Sequence, residues 1–242
     1  MQNFELVSFA KPGDLARAAA SQWLDEIAAA NRAAKPHLAV LSGGRIAENF
    51  FAATSALARQ RGIPMGAVHF FWADERCVPP DDPESNFRLA QERLLAPLNI
   101  GEAQIHRIRG ELPPEVAAAQ AVSEVRQIVP LNAGGQPIFD LIILGMGPDG
   151  HVASLFPGEA EATRADATIY RAVQNSPKPP SNRVTLGYAA IAAARLVWVL
   201  ISGAGKGEAL RQSLVANGGT PLARVVRSRS QVRIFSDLVS PA

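Results

Sequence analysis

The sequence predicts an α/β fold in which a mostly parallel, Rossmann-like central sheet is flanked by helices, as one domain over residues 1–242. Two observations carry that expectation. Short runs rich in Val, Ile, Leu and Phe alternate with alanine-rich stretches of helical period, and most of the runs end at glycine or a polar cluster. The runs are also near-continuously apolar, as strands buried on both faces of a parallel sheet are. No composition shift, repeat or low-complexity tract divides the chain, and the Pro-rich pieces at 78–80, 112–114 and 177–180 are too short to be linkers.

Taken in order, strands are expected at 4–9, 37–41, 67–72, 105–108, 139–144, 169–173, 196–201 and 232–235. Helices are expected between them at 14–31, 46–61, 84–95, 114–128 and 206–216. Asp14, just after Pro12 and Gly13, suits the N-cap of the first helix.

Composition excludes several classes of protein. The chain is 48% hydrophobic but only 6% aromatic, so its apolar content is aliphatic and alanine. A folded chain of this mass buries roughly 72% of the surface its unfolded form exposes, enough for a core without staples. The single cysteine, Cys77, cannot form an internal bridge, which fits a reducing, cytoplasmic setting. A net charge of +2 names no partner. Glu5 and Asp14 fall where a secretory leader needs an unbroken apolar stretch, and runs such as 196–201 fall far short of the ~20 residues that span a bilayer.

In open α/β sheets ligands bind beyond the carboxyl ends of the strands. Four such loops carry chemistry. The first, Ser42-Gly43-Gly44-Arg45, joins a strand to a helix. Its backbone amides and the helix amino terminus could receive an anion, and the same residues also fit a plain tight turn. The second holds Asp74, Glu75 and Arg76, with Ser85 and Asn86 following. It can orient a water or hold a polar substrate, or it can be a surface ion-pair turn.

The third loop runs from Gly145 to Gly158. Gly145, Gly147 and Gly150 match a dinucleotide fingerprint, with Asp166 near the place of a ribose-binding acid. Two features oppose that reading: Asp149 would put a carboxylate inside the pyrophosphate cradle, and Pro157-Gly158 would stop the following helix after about two turns. What remains is a turn presenting Asp149 and His151 two residues apart, a carboxylate able to set the tautomer of a general base. Ser154 lies in no nucleophile elbow and suits helix capping or substrate contact. The fourth region supplies Lys178 and Arg183 on a proline-stiffened loop, and Lys206 at a glycine-rich turn, all suited to an anionic ligand or to a solvated basic loop. His37, His69 and His106 lack metal-ligand spacing, so no catalytic metal is expected. Arg224, Arg227, Arg229 and Arg233 have no aromatic platform or helix-turn-helix beside them and read as a solvated face, not a nucleic-acid patch.

Taken together, the 145–158 segment, Asp74-Glu75-Arg76, Ser85-Asn86 and the 176–180 loop resemble the 6-phosphogluconolactonase family, in a superfamily shared with glucosamine-6-phosphate deaminases. The deaminases share the Asp-Gly-His turn but typically continue into Asn-Glu-Pro-Gly, where this chain has Ser154-Leu155-Phe156-Pro157-Gly158. The lactonases commonly follow their Ser-Gly-Gly turn with Ser-Thr-Pro. Here Arg45-Ile46-Ala47 stands instead, offering charge where hydroxyls are usual.

The resemblance implies hydrolysis of 6-phospho-D-glucono-1,5-lactone in the oxidative pentose phosphate pathway, without cofactor or metal, by a cytoplasmic monomer or weak homodimer with no nucleic-acid or membrane partner. It places the 6-phosphate against Ser42, Gly43, Gly44, Arg45, Arg183 and Lys206. His151, oriented by Asp149, would take a proton from water, Arg76 would stabilise the oxyanion, and Asp74 would lie beside the chemistry. A deaminase or isomerase, and a non-catalytic sugar-phosphate sensor, are the alternatives.

Overall fold

A computed structural model describes residues 3–160, 167–229 and 231–238. Its strands are β1 (Phe4–Ser8), β2 (His37–Leu41), β3 (Val68–Trp72), β4 (Asp74–Arg76), β5 (Ile105–His106), β6 (Leu141–Gly145), β7 (Tyr170–Val173), β8 (Arg183–Leu186), β9 (Leu196–Ile201) and β10 (Val232–Ser236). The helices are α1 (Pro12–Arg32), α2 (Arg45–Arg61), α3 (Asn86–Ala90), α4 (Pro114–Ile128), α5 (Tyr188–Ala193), α6 (Gly207–Leu214) and α7 (Pro221–Arg227).

Seven strands form one sheet in the order β1-β10-β9-β6-β2-β3-β5, every neighbouring pair parallel. The chain enters at an edge with β1 and crosses to β2. It then works outward through β3 to β5, and returns to lay β6 on the other side of β2. Beyond β6 it proceeds the opposite way through β9 and β10. The reversal lies between β2 and β6, so their carboxyl ends open the crevice in which α/β sheets bind ligands. All five β2 residues are buried, as a strand covered on both faces requires. Trp23, Trp72 and Trp198 are fully buried in the same apolar core as the sheet.

The sequence reads β2 and β9 with their observed bounds and misplaces other elements for local reasons. The first helix starts at Pro12 with Lys11 as N-cap, so Asp14 is not the cap; it sits in the first turn, where a carboxylate still opposes the helix dipole. The helix expected at 84–95 starts at Asn86, capped by the Ser85 hydroxyl. It passes into a π-helical turn at Gln91–Leu95 and a 3-10 turn at Ala96–Leu98. Lys206 closes a 3-10 turn before α6 instead of lying inside a helix. Over the described residues 152–160 no helix forms: Val152 and Leu155 make an isolated bridge within turns.

The larger correction concerns 169–173, expected in the central sheet. Its strand, β7, belongs to a separate antiparallel sheet of order β4-β8-β7, and β4 and β8 lie in stretches read as loops. Strands of three and four residues are too short to show a period. Ala73 makes the hand-over: its N–H donates to Leu41 O of the main sheet, and its carbonyl accepts from Leu186 N at the end of β8. That step carries Asp74 from the mouth of β3 into the second sheet.

The carboxy-terminal arginines, exposed or half-buried at the surface, also bond within the fold. Arg229 donates to the carbonyls of Ile191 and Ala192 at the end of α5, Arg227 to Gly218 O, and Arg233 to Glu5 across β10 and β1. The Arg224 guanidinium lies 4.8 Å from the centre of the Tyr188 ring. Among the described residues no helix is long and apolar enough to cross a membrane.

Candidate active site

The carboxyl ends of β2 and β6 open on a cleft. Nine of the ten residues singled out from the sequence line it: Ser42, Gly43, Gly44, Arg45, Asp74, Arg76, His151, Arg183 and Lys206. The tenth, Asp149, stands behind His151 and bonds to its ring. Asp166, the acid of the dinucleotide reading, lies outside the described residues.

The β6–His151 turn is closed by backbone bonds from Gly147 N to His151 O and from Gly150 N to Gly147 O, and the N–H of Leu222 in α7 holds Gly150 O. A Cβ on Gly147 would come within 2.0 Å of the imidazole Nδ1 and Cε1, so glycine there is what lets the ring fold back over its own turn. Asp149 Oδ1 accepts a hydrogen bond from Nδ1–H at 2.5 Å. This fixes the tautomer that leaves Nε2 as a free acceptor. Phe156 packs on the ring at 4.9 Å between centroids. Burial holds His151 below the ordinary imidazole pKa, with Asp149 opposing and Lys178 reinforcing the shift. The ring is therefore neutral near pH 7, the state a general base needs.

Beneath it lies a buried polar layer. Asp74, 5% exposed, accepts from Ser154 Oγ at 2.7 Å and from Asn86 Nδ2 at 3.4 Å. Ser154 is fully buried within a turn, its hydroxyl given to Asp74, so it is neither a helix cap nor exposed to the cleft. Glu75 accepts from the N–H groups of Arg76, Asn86 and Phe87 and from the Ser85 hydroxyl, bracing the start of α3. Asn86 in turn donates to Asp74 O at 2.9 Å.

The cations fall into two groups. Arg45 and Lys206 sit at the amino-terminal end of α2, and neither side chain makes a hydrogen bond or ion pair among the described residues. Burial, then the charge of Arg45, lowers the Lys206 pKa. Ser42 Oγ is buried beside them without a partner. Two unpaired cations, an orphan hydroxyl and a helix amino terminus make a site for a polyanionic group. Arg76 and Arg183 belong to the other group. Arg183 spends four hydrogen bonds, on the carbonyls of Lys178, Pro179 and Pro180 and on Ser154 Oγ, so few of the five guanidinium N–H donors remain for a substrate. This narrows the phosphate role expected of it: Arg183 is a clamp on the loop before β8. Arg76 is freer, with only Nη1 engaged, by Glu84, and Nε buried without a partner.

Sequence reasoning named Glu75, Asn86 and Lys178 in the strand-end loops without giving them a part in the reaction. The Lys178 ammonium lies 3.4 Å from Asp149 Oδ1 and 3.3 Å from His151 Nδ1. Among the described residues no group of three or more His, Cys, Asp or Glu is placed to hold a metal. His37 accepts from Trp23 Nε1, and His69 and His106 bond to each other, all away from the cleft.

The sequence model of the glucosamine-6-phosphate isomerases/6-phosphogluconolactonase family matches residues 10–234. The 6-phosphogluconolactonase of Mycobacterium tuberculosis is 38% identical over 213 residues, covering 86% of this chain and 84% of that protein. That of Streptomyces coelicolor is 35% identical over 210 residues, covering 84% and 80%. A chloroplastic relative from Arabidopsis thaliana is 37% identical over 175 residues, which span 54% of its length. The solved 6-phosphogluconolactonase of Trypanosoma brucei superposes with a TM-score of 0.83 at 28% identity, covering 98% of this chain and 97% of that one.

Proposed function

The chain belongs to the glucosamine-6-phosphate isomerase/6-phosphogluconolactonase family and is a hydrolase of the 6-phosphogluconolactonase kind; from that premise we propose that it opens 6-phospho-D-glucono-1,5-lactone with a water that His151 activates, in the oxidative pentose phosphate pathway. The observation that supports this most directly is that one cleft has two unlike ends. At one end a neutral imidazole presents a free nitrogen; at the other, unpaired cations meet a helix amino terminus.

The 6-phosphate docks against the amides of Gly43 and Gly44 and against Arg45 and Lys206, with the Ser42 hydroxyl as a further donor. Binding energy gained there positions the lactone carbonyl beside His151. His151 Nε2 takes a proton from water as the water oxygen attacks the carbonyl, and the positive charge that forms is balanced by Asp149. Arg76, with donors to spare, faces the developing oxyanion. The tetrahedral intermediate then collapses: the ring C–O bond breaks, and the proton held by His151 passes to the departing ring oxygen, giving 6-phosphogluconate. Ser154 takes no part as nucleophile and no covalent intermediate forms.

The test is an acid-release assay on freshly generated lactone with spontaneous hydrolysis subtracted. His151→Ala should lower kcat by roughly 10²- to 10⁴-fold. A folded variant that turns over at the wild-type rate removes His151 from the mechanism. Ammonia release from glucosamine 6-phosphate would instead favour the deaminase alternative.

A further inference from the structure

We propose that Lys178 is a positioning residue of this hydrolysis: its ammonium, fixed beside the Asp149–His151 pair, keeps the imidazole unprotonated when an anionic substrate enters the cleft. The inference rests on His151 as the base. It starts from a geometric conflict. Asp149 Oδ1 is shared by His151 Nδ1 and by Lys178 Nζ, and Nζ also approaches Nδ1 at 3.3 Å. An ammonium has no acceptor and Nδ1 carries the proton directed at Asp149, so these two nitrogens cannot bond to each other. Their approach is tolerable while the ring is neutral and repulsive once it is charged.

The Asp149 carboxylate keeps a lysine with 37% of its side chain exposed from turning to solvent, and a fixed backbone keeps that carboxylate within its reach. That backbone is held at both ends. Ser176 Oγ accepts from Lys178 N and donates to Lys178 O, while the Arg183 fork binds the carbonyls of Lys178, Pro179 and Pro180 in succession. Ser154 and Asp74 anchor Arg183 from below. The buried layer thus aims a cation at the catalytic pair through the loop between β7 and β8.

The need for such a cation follows from the substrate's charge. A phosphate dianion arriving at Arg45 and Lys206 draws protons toward every base in the cleft, and a protonated His151 cannot accept one from water. The charged groups that reach His151 are Asp149 on its own turn, Lys178 and, more distantly, Asp74 on β4. Both carboxyl groups favour the imidazolium; burial opposes it first, and of these three charges Lys178 is the one that adds to burial. Its charge also reaches Lys206.

The test compares wild type with Lys178→Met and Lys178→Arg, reading the pH profile of kcat/KM and, separately, the His151 imidazole titration by NMR. A neighbouring charge at this range moves a pKa by about one unit. In Lys178→Met the acid limb and the titration should both move to higher pH, costing about three- to tenfold in kcat/KM on the limb and little on the plateau, and Lys178→Arg should restore both. A His151 titration unchanged in Lys178→Met overturns the proposal, whatever the identity of the base. If instead the titration moves and the rate limb does not, the base reading fails and the part of Lys178 in the reaction fails with it. Loss of preference for the phosphorylated lactone, with the titration unmoved, would assign Lys178 to the phosphate and also overturn the proposal.

Discussion

Asp74 and Ser154, eighty residues apart in sequence, meet through a 2.7 Å hydrogen bond at the floor of the cleft, where Ser154 is wholly buried and Asp74 almost so. This bond ties the start of β4 to the turn that carries His151, and it decides what the serine does. A hydroxyl with no exposure and a carboxyl partner is a brace. Ser154→Ala should therefore leave a buried carboxyl oxygen short of a donor and lower stability by about 1–3 kcal/mol, measured by urea denaturation. Pre-steady-state kinetics should show no acyl-enzyme burst in either form; a burst in wild type that Ser154→Ala abolishes would overturn the reading.

The two groups of cations should separate kinetically. Arg45→Ala and Lys206→Ala each remove a cation whose side chain makes no hydrogen bond or ion pair among the described residues, so they should raise KM for the phosphorylated lactone with little effect on an unphosphorylated one. Arg183→Ala releases the loop carbonyls and should lower kcat for both substrates alike. Equal losses for Lys206→Ala on the two lactones would take Lys206 out of the phosphate site.

Glu75 makes a prediction about stability alone. Burial pushes its pKa up to about 7, against the pull of three backbone N–H donors. Because the folded value lies above the ordinary 4.5, the folded state binds more protons between those limits. Glu75 thus contributes stability that is complete below about pH 4.5 and is lost as pH rises through about 7. Glu75→Gln should abolish that slope. It should also cost about 1–3 kcal/mol at every pH, since an amide NH₂ then faces donors from Ser85 and Phe87. Denaturation midpoints at pH 5 and pH 8 give both results.

What the sequence made legible follows the range of each signal. Asp149 and His151 are two residues apart on a glycine turn, and Gly43-Gly44 joins a buried strand to a helix, so local pattern was enough to find them. Lys178, Arg183 and Asn86 take their roles from partners that only the fold brings near. Nothing local says that Arg183 will spend its donors on three carbonyls before it, or that the lysine of a proline-rich loop will end beside an imidazole 27 residues back. The second sheet was missed for the same reason. β4 and β8 are recognisable as strands only through each other, by the pairing of Asp74 with Thr185 and Arg76 with Arg183.

One of these long-range contacts also explains a glycine. The Asn86 amide, bonded to Asp74 O, lies so close to Gly43 that a Cβ there would sit 1.8 Å from Asn86 Oδ1. Asn86 is 3% exposed and has no room to retreat without giving up its bond to Asp74. Gly43→Ala should therefore push apart the β2–α2 turn and β4, displacing anion-binding amides from the chemical end of the cleft and lowering kcat/KM well over tenfold. Asn86→Ala alone loses the brace but opens the space, a smaller loss. Combined with Gly43→Ala, it should leave the enzyme more active than Gly43→Ala alone, because the clash has gone. The sign of that double-mutant coupling is the test. Additive losses would mean that Gly43 is required for its backbone's approach to the phosphate and not for the Asn86 contact.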